Sequence, residues 1–161
     1  MAQQTDTPTH LQLSQQICHS LYSATNAMVR TYRPLLEEAD LTYPQYLVML
    51  ALWEENDVPI KSLVERTRLD SGTLTPILKR LEAKGLIRRV RSSVDERQRL
   101  IEVTEAGWLK RDACTNIPEQ LFCLTRLSET EARELKNLAE QLYRRLEALD
   151  SRSEPLADWK A

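Results

Sequence analysis

The stretch from Asp70 to Thr104, DSGTLTPILKRLEAKGLIRRVRSSVDERQRLIEVT, constrains this chain more than any other. Asp70 and Ser71 are good helix N-cap residues, and Pro76 is tolerated in or near a first turn. Leu74, Ile77, Leu78 and Leu81 recur at i, i+3, i+4 and i+7, which gives one apolar stripe. The opposite face carries Gly72, Thr75, Pro76, Lys79 and Ala83, with Arg80 at its edge. Gly85 can end the helix in a left-handed conformation. Leu86 to Arg91 and Arg97 to Thr104 then read as two strands joined by the polar turn 92–96. A helix whose outer N-terminal half is small and neutral can approach base edges. A basic hairpin beside it can reach a phosphate backbone or a minor groove. The predicted layout is a winged helix-turn-helix that binds double-stranded DNA.

Charge supports that layout only when it is mapped along the chain. The 161 residues carry a net charge of −2, which by itself argues against nucleic acid. Between Lys79 and Arg99, however, eight Lys or Arg face three Asp or Glu, a local +5, so the rest of the chain is −7. A basic face on an acidic body is the expected footprint of a DNA binder, whereas the bland alternative is a solvated basic helix and hairpin. No apolar run reaches the length of a membrane span and no signal peptide is visible, so the expectation is a cytoplasmic protein with no membrane partner. Cys18, Cys114 and Cys123 are too few and scattered for a disulfide framework. With no CxxC or HxxxH spacing, and only His10 and His19, no metal or other cofactor is expected.

The remaining segments read as helices. Leu13, Ile17, Leu21, Ala24 and Met28 mark an amphipathic helix from about Leu11 to Thr31, which Pro34 should limit. Cys18 lies at the edge of its stripe, with Tyr22 one turn on. Thr42 and Gln45 form a capping box ahead of the apolar run Tyr46 to Trp53, with Pro44 inside the first turn. Ile60, Leu63 and Val64 give the short first helix of the helix-turn-helix pair. After the wing, Thr104 to Gly107 starts a helix toward Ile117, and Pro118 should kink or break it. Ser128 and Glu131 form a second capping box, opening a helix striped by Leu135, Leu138, Leu142, Leu146 and Leu149.

The expectation is therefore a mainly α chain with a small β-wing, in one domain. Residues 42–107 form the winged helix-turn-helix, 11–36 and 108–150 are dimerisation helices, and 151–161 is a loose tail. The long apolar stripes outside the DNA module exceed what a small winged helix can cover. A second copy would bury them at roughly 25 cal/mol per Å² of apolar surface. A homodimer also supplies two recognition helices for a palindromic operator. The alternative is a monomer whose helices pack on one another.

From Cys18 to Thr104 the residues resemble the MarR family of bacterial winged-helix regulators. The wing turn Asp95-Glu96-Arg97 and the strand ending at Thr104 carry that resemblance. Cys18-x-x-x-Tyr22, Tyr32-Arg33-Pro34-Leu35-Leu36, Leu41 to Tyr46 and Leu69 to Pro76 narrow it to the OhrR-like organic-hydroperoxide sensors of that family. The resemblance implies a dimeric repressor, not an enzyme, whose Cys18 is the redox-sensing thiol, with Tyr22 and Tyr32 as its hydrogen-bonding partners. It implies that Ser71, Thr73 and Thr75 sit on the recognition helix. Arg97 would be the wing arginine that enters the minor groove, braced by Asp95. Lys79 and Arg80 belong to the same basic surface. Cys123 lies where the two-cysteine branch of these sensors keeps the resolving cysteine that pairs with the partner subunit, while Cys114 takes no role from the resemblance. A local Cys114–Cys123 bond would require a sharp break at Pro118, since nine residues of straight helix separate two Cα atoms by ~13 Å. Two other readings stay open: a repressor released by a small phenolic or apolar ligand, and a thiol peroxidase with an incidental basic hairpin.

Overall fold

The computed structural model describes residues 8–92 and 98–150. Two short 3-10 turns, Thr9–Leu11 and Leu13–Gln15, precede helix α1 (Ile17–Leu35). Then follow α2 (Tyr43–Glu54), strand β1 (Val58–Pro59), α3 (Ile60–Thr67), α4 (Ser71–Ala83), β2 (Ile87–Arg91), β3 (Arg99–Val103), α5 (Glu105–Cys114), α6 (Ile117–Thr125) and α7 (Glu129–Asp150). The fold is mostly helical with one small antiparallel sheet, as expected. Contacts divide the chain into two units, residues 1–121 and 122–161.

Local chemistry accounts for most boundaries. The N-cap Asp70 accepts from the Thr73 amide at 2.9 Å and starts α4. The helix closes in a Schellman motif: Gly85 takes φ 70°, its amide donates to Glu82, and the Leu86 amide donates to the Leu81 carbonyl. Pro76 stands at the sixth helical position, a turn later than expected, on the solvent side. There its missing N–H leaves only the Gly72 carbonyl without a ladder donor. Gln45 accepts from the Thr42 amide at 3.0 Å, the return half of the capping box. Ser128 and Glu131 cap α7 reciprocally, the Ser128 amide donating to Glu131 Oε2 at 2.8 Å and the Glu131 amide to Ser128 Oγ at 3.3 Å. The break expected at Pro118 lies at residues 115–116, and Pro118 enters the first turn of α6, where a proline needs no donor.

Three expectations change. The first helix begins at Ile17, not near Leu11, because Gln12 and Gln16 are extended. The Gln16 carboxamide, donating to the His10 carbonyl at 2.8 Å and to the Gln12 carbonyl at 3.2 Å, holds that break. The same helix runs on through Pro34, since a proline in a last turn removes a single bond. The sheet has three strands rather than two, in the order β1-β3-β2, with Val58 opposite Ile101 and Pro59 opposite Leu100. Proline is accepted there because β1 is an edge. Strand β2 starts one residue inside its expected bounds and ends where expected, β3 runs only from Arg99 to Val103, and the wing tip, with Asp95 and Arg97, lies outside the described residues.

The core sits inside the winged helix. Tyr46, Val48, Met49 and Leu52 of α2 meet Leu63 of α3, and Leu74, Leu78 and Leu81 of α4, all nearly inaccessible. Helix α5 is seated close to Leu86 and to Val103 of β3 by a glycine. A Cβ at Gly107 would fall 2.2 Å from the Leu86 carbonyl oxygen, and Trp53 Nε1 donates to the Gly107 carbonyl at 3.1 Å.

Candidate DNA interface and redox site

The outer side of α4 is open to solvent. Its buried stripe faces the core, so Ser71, Gly72, Thr73, Thr75, Pro76, Lys79 and Arg80 are all exposed. Both threonine hydroxyls donate inward: Thr73 Oγ1 to Asp70 Oδ2 at 2.6 Å, and Thr75 Oγ1 to the Ser71 carbonyl at 2.8 Å. They reinforce the helix start and turn no free donor outward. Asp70, taking the Thr73 hydroxyl and amide, is held below the usual carboxylate range, so the cap stays charged at neutral pH.

The basic surface is narrower than a count of charges suggests. Arg88 and Glu102 stand opposite each other in the β2–β3 register and form a two-pronged pair at 2.5 and 2.7 Å. Arg89 Nε lies 3.2 Å from Glu82 of α4, too poorly aligned for a hydrogen bond. Lys84 pairs with Asp40 at 2.9 Å. Lys79, Arg80, Arg91 and Arg99 are exposed and form no ion pair among the described residues. Arg91 and Arg99 occupy directly opposed register positions at the end of the ribbon. Like charges so placed repel until an anion such as a DNA phosphate comes between them. Sequence reasoning had not singled out this pair; its signal lay in the strand register rather than in the residue types.

Cys18 is exposed and lies second in α1. The later helix start puts it in the first turn of α1. Tyr22, one turn on, is 70 % exposed. Tyr32 is elsewhere: fourteen residues along the same helix, a rise of ~21 Å, so one chain cannot bring it to its own Cys18. It stacks instead on Tyr43 at 4.7 Å and Tyr46 at 5.9 Å between ring centroids. Burial, with Tyr43 adding to it, raises the Tyr32 hydroxyl above its ordinary value. Burial likewise raises Tyr43, and it pushes Tyr46 up to about 12, helped by Tyr32, Cys114 and Tyr43. These phenols stay protonated donors at neutral pH. Tyr43 and Tyr46, ring neighbours of Tyr32, were given no part in the site by sequence reasoning, which placed Tyr46 in the apolar run of the second helix.

The other cysteines separate by burial. Cys114 ends α5 inside the core, 3 % exposed, and burial raises its thiol. Cys123, in α6, is exposed. Among the described residues no group of three or more His, Cys, Asp or Glu could hold a metal ion. No described helix is long and apolar enough to cross a membrane.

Comparison with known proteins agrees with this geometry. A family model described as transcriptional regulator SarA/Rot matches residues 30–114. The chain is 43 % identical over 144 residues to the organic hydroperoxide resistance transcriptional regulator of Bacillus subtilis, covering 89 % of this chain and 96 % of that one. Its fold matches reduced AbfR bound to DNA with a TM-score of 0.71 and 36 % identity, over 85 % of this chain and 94 % of that one. AbfR is a protein of Staphylococcus epidermidis. The disulfide form of AbfR matches with a TM-score of 0.57 and 35 % identity, over 87 % and 93 %. These relatives are DNA-binding transcriptional regulators rather than enzymes. The chain belongs to the MarR/SarA family of winged-helix transcriptional regulators.

Proposed function

We propose that this regulator is a homodimeric repressor of a palindromic operator and that organic hydroperoxides release it from DNA through Cys18. The observation that carries the reading is an exposed cysteine in the first turn of a helix that buries none of its residues. Accessibility is what a peroxide-reactive thiol needs. Cys18 attacks one peroxide oxygen and the O–O bond breaks. The alkoxide leaves, takes a proton and departs as the alcohol, and Cys18 becomes a sulfenic acid. The Cys123 thiol of a second copy then gives up its proton and attacks that sulfur, forming the disulfide, and the displaced hydroxide takes that proton and leaves as water. Tyr22 and Tyr32 act as hydrogen-bond donors to the reacting centre, Tyr32 from the second copy because its own helix holds it far from Cys18.

On the output side, Ser71, Thr73, Thr75, Lys79 and Arg80 face the major groove from α4. Arg97, braced by Asp95, enters the minor groove from the wing. The same reading has residues 42–107 as the DNA module of a single domain, 11–36 and 108–150 as dimerisation helices, and the protein acting in the cytoplasm. Similarity to an organic hydroperoxide resistance regulator, and to AbfR in DNA-bound and disulfide forms, supports it. The test is operator affinity before and after cumene hydroperoxide, for wild type and Cys18→Ser, on a duplex selected from random DNA by the reduced protein. Wild type is expected to lose at least about tenfold in affinity, an allosteric coupling of ordinary size. The Cys18→Ser protein should lose nothing. A serine variant still released by peroxide sinks the reading.

A further inference from the structure

Helix α1 behaves as a lever with a narrow attachment. None of its 19 residues is buried, and its hold on the DNA module lies at its C-terminal end. There Tyr32 stacks on α2, and the chain turns through Leu36, Ala39 and Leu41, all buried in the core. At the apex of that turn stands Asp40, a non-glycine residue in the left-handed region at φ 51°. Two backbone bonds fix it there, the Asp40 amide to the Glu37 carbonyl at 3.0 Å and the Leu41 amide to the Leu36 carbonyl at 3.2 Å. Such a conformation persists only while its surroundings enforce it, and residues of this kind absorb the backbone change when elements shift.

From the other side, the C-cap residue of the recognition helix, Lys84, grips this apex. Its Nζ donates to the Asp40 main-chain carbonyl and pairs with Asp40 Oδ2 at 2.9 Å. The carbonyl contact matters most, because its direction depends on the left-handed backbone. If α1 moves and Asp40 leaves that region, the carbonyl swings and the lysine loses one of its two partners. The grip also holds the last turn of α4 through a residue whose amide bonds to the carbonyls of Arg80 and Glu82. Lys84 is thus committed to the turn that follows α1, unlike Lys79 and Arg80 on the outer face of the same helix.

We propose that Asp40 and Lys84 form a latch through which α1 sets the position of the recognition helix, making Lys84 a positioning residue for peroxide-driven release. The inference rests on the Cys18 reading above. The test uses full-length protein and the same selected duplex, and compares the ratio of operator Kd after cumene hydroperoxide to Kd before it. Cys18 oxidation is followed in parallel by trapping free thiol. Lys84→Met keeps the side-chain stem and removes the charge, Lys84→Arg keeps the charge, and Asp40→Asn keeps the main-chain carbonyl. We expect Lys84→Met to lower the wild-type ratio about threefold to tenfold, the scale of a charge-assisted hydrogen bond with its ion pair. Oxidation of Cys18 should proceed at the wild-type rate. Lys84→Arg should restore most of the ratio, and Asp40→Asn should fall between. A structural role alone would shift both Kd values together and leave the ratio intact, so an unchanged ratio in Lys84→Met overturns the latch. If wild type itself shows no peroxide response, the Cys18 reading falls first and the latch with it.

Discussion

The DNA module and the helices around it are made from the same kind of sequence, amphipathic helices with regular leucine stripes, yet they end in opposite states. In α4, Leu74, Leu78 and Leu81 are each 0 % exposed. In α1, Ile17 remains 71 % exposed, and in α7, Leu138 remains 65 % exposed. Among the residues whose burial is described, neither α1 nor α7 contains a buried one. A stripe states only that a helix needs a partner surface; whether that surface is in the same chain decides its burial. The winged helix meets its need internally. The exposed stripes of α1 and α7 find no such covering surface among the described residues, and on the proposed reading a second copy supplies it with symmetry. On the proposed reading, Cys18 thus sits in the incomplete region and the DNA module is the complete one.

Two substitutions sharpen that contrast, the larger first. Leu78→Ala removes a fully buried side chain from the module core and should cost about 2–5 kcal/mol of unfolding free energy. Urea unfolding of the intact protein should show a lower midpoint at an unchanged slope. Leu138→Asp alters an exposed residue, so the folding stability of one chain should move by only about 0.5 kcal/mol. Its effect should appear in assembly instead: sedimentation should find monomer at concentrations where wild type is dimeric. A Leu138→Asp protein that stays dimeric would remove α7 from the interface and blur the distinction between the two regions.

The DNA module was legible because its signals are local and redundant. Asp70, the four-residue stripe and Gly85 each mark α4 independently, and all three agree. Strand β1 was not legible, since two residues ending in proline carry no periodicity and its pairing with β3 comes from distant chain. The start of α1 was misread because residues 11–16 contain no breaker; side-chain bonds from Gln16 to its own backbone make the break. At the proposed redox site, sequence supplied Cys18 and Tyr22 as neighbours. It could not show that Tyr32 belongs to an aromatic stack with Tyr43 and Tyr46, or that Cys114 is buried while Cys123 is exposed. Those distinctions depend on packing between elements rather than on any one element.

The central claim, that the sensing region is completed across two chains, has a direct test in the disulfide itself. Isotope-labelled and unlabelled protein are mixed in equal amounts, unfolded and refolded together, oxidised with cumene hydroperoxide and digested without reduction. Mass spectrometry should then find Cys18 joined to Cys123, with about half of the linked pairs carrying one labelled and one unlabelled peptide, as random pairing of two chains requires. Linked pairs of uniform label only, or Cys18 joined to Cys114, would contradict it.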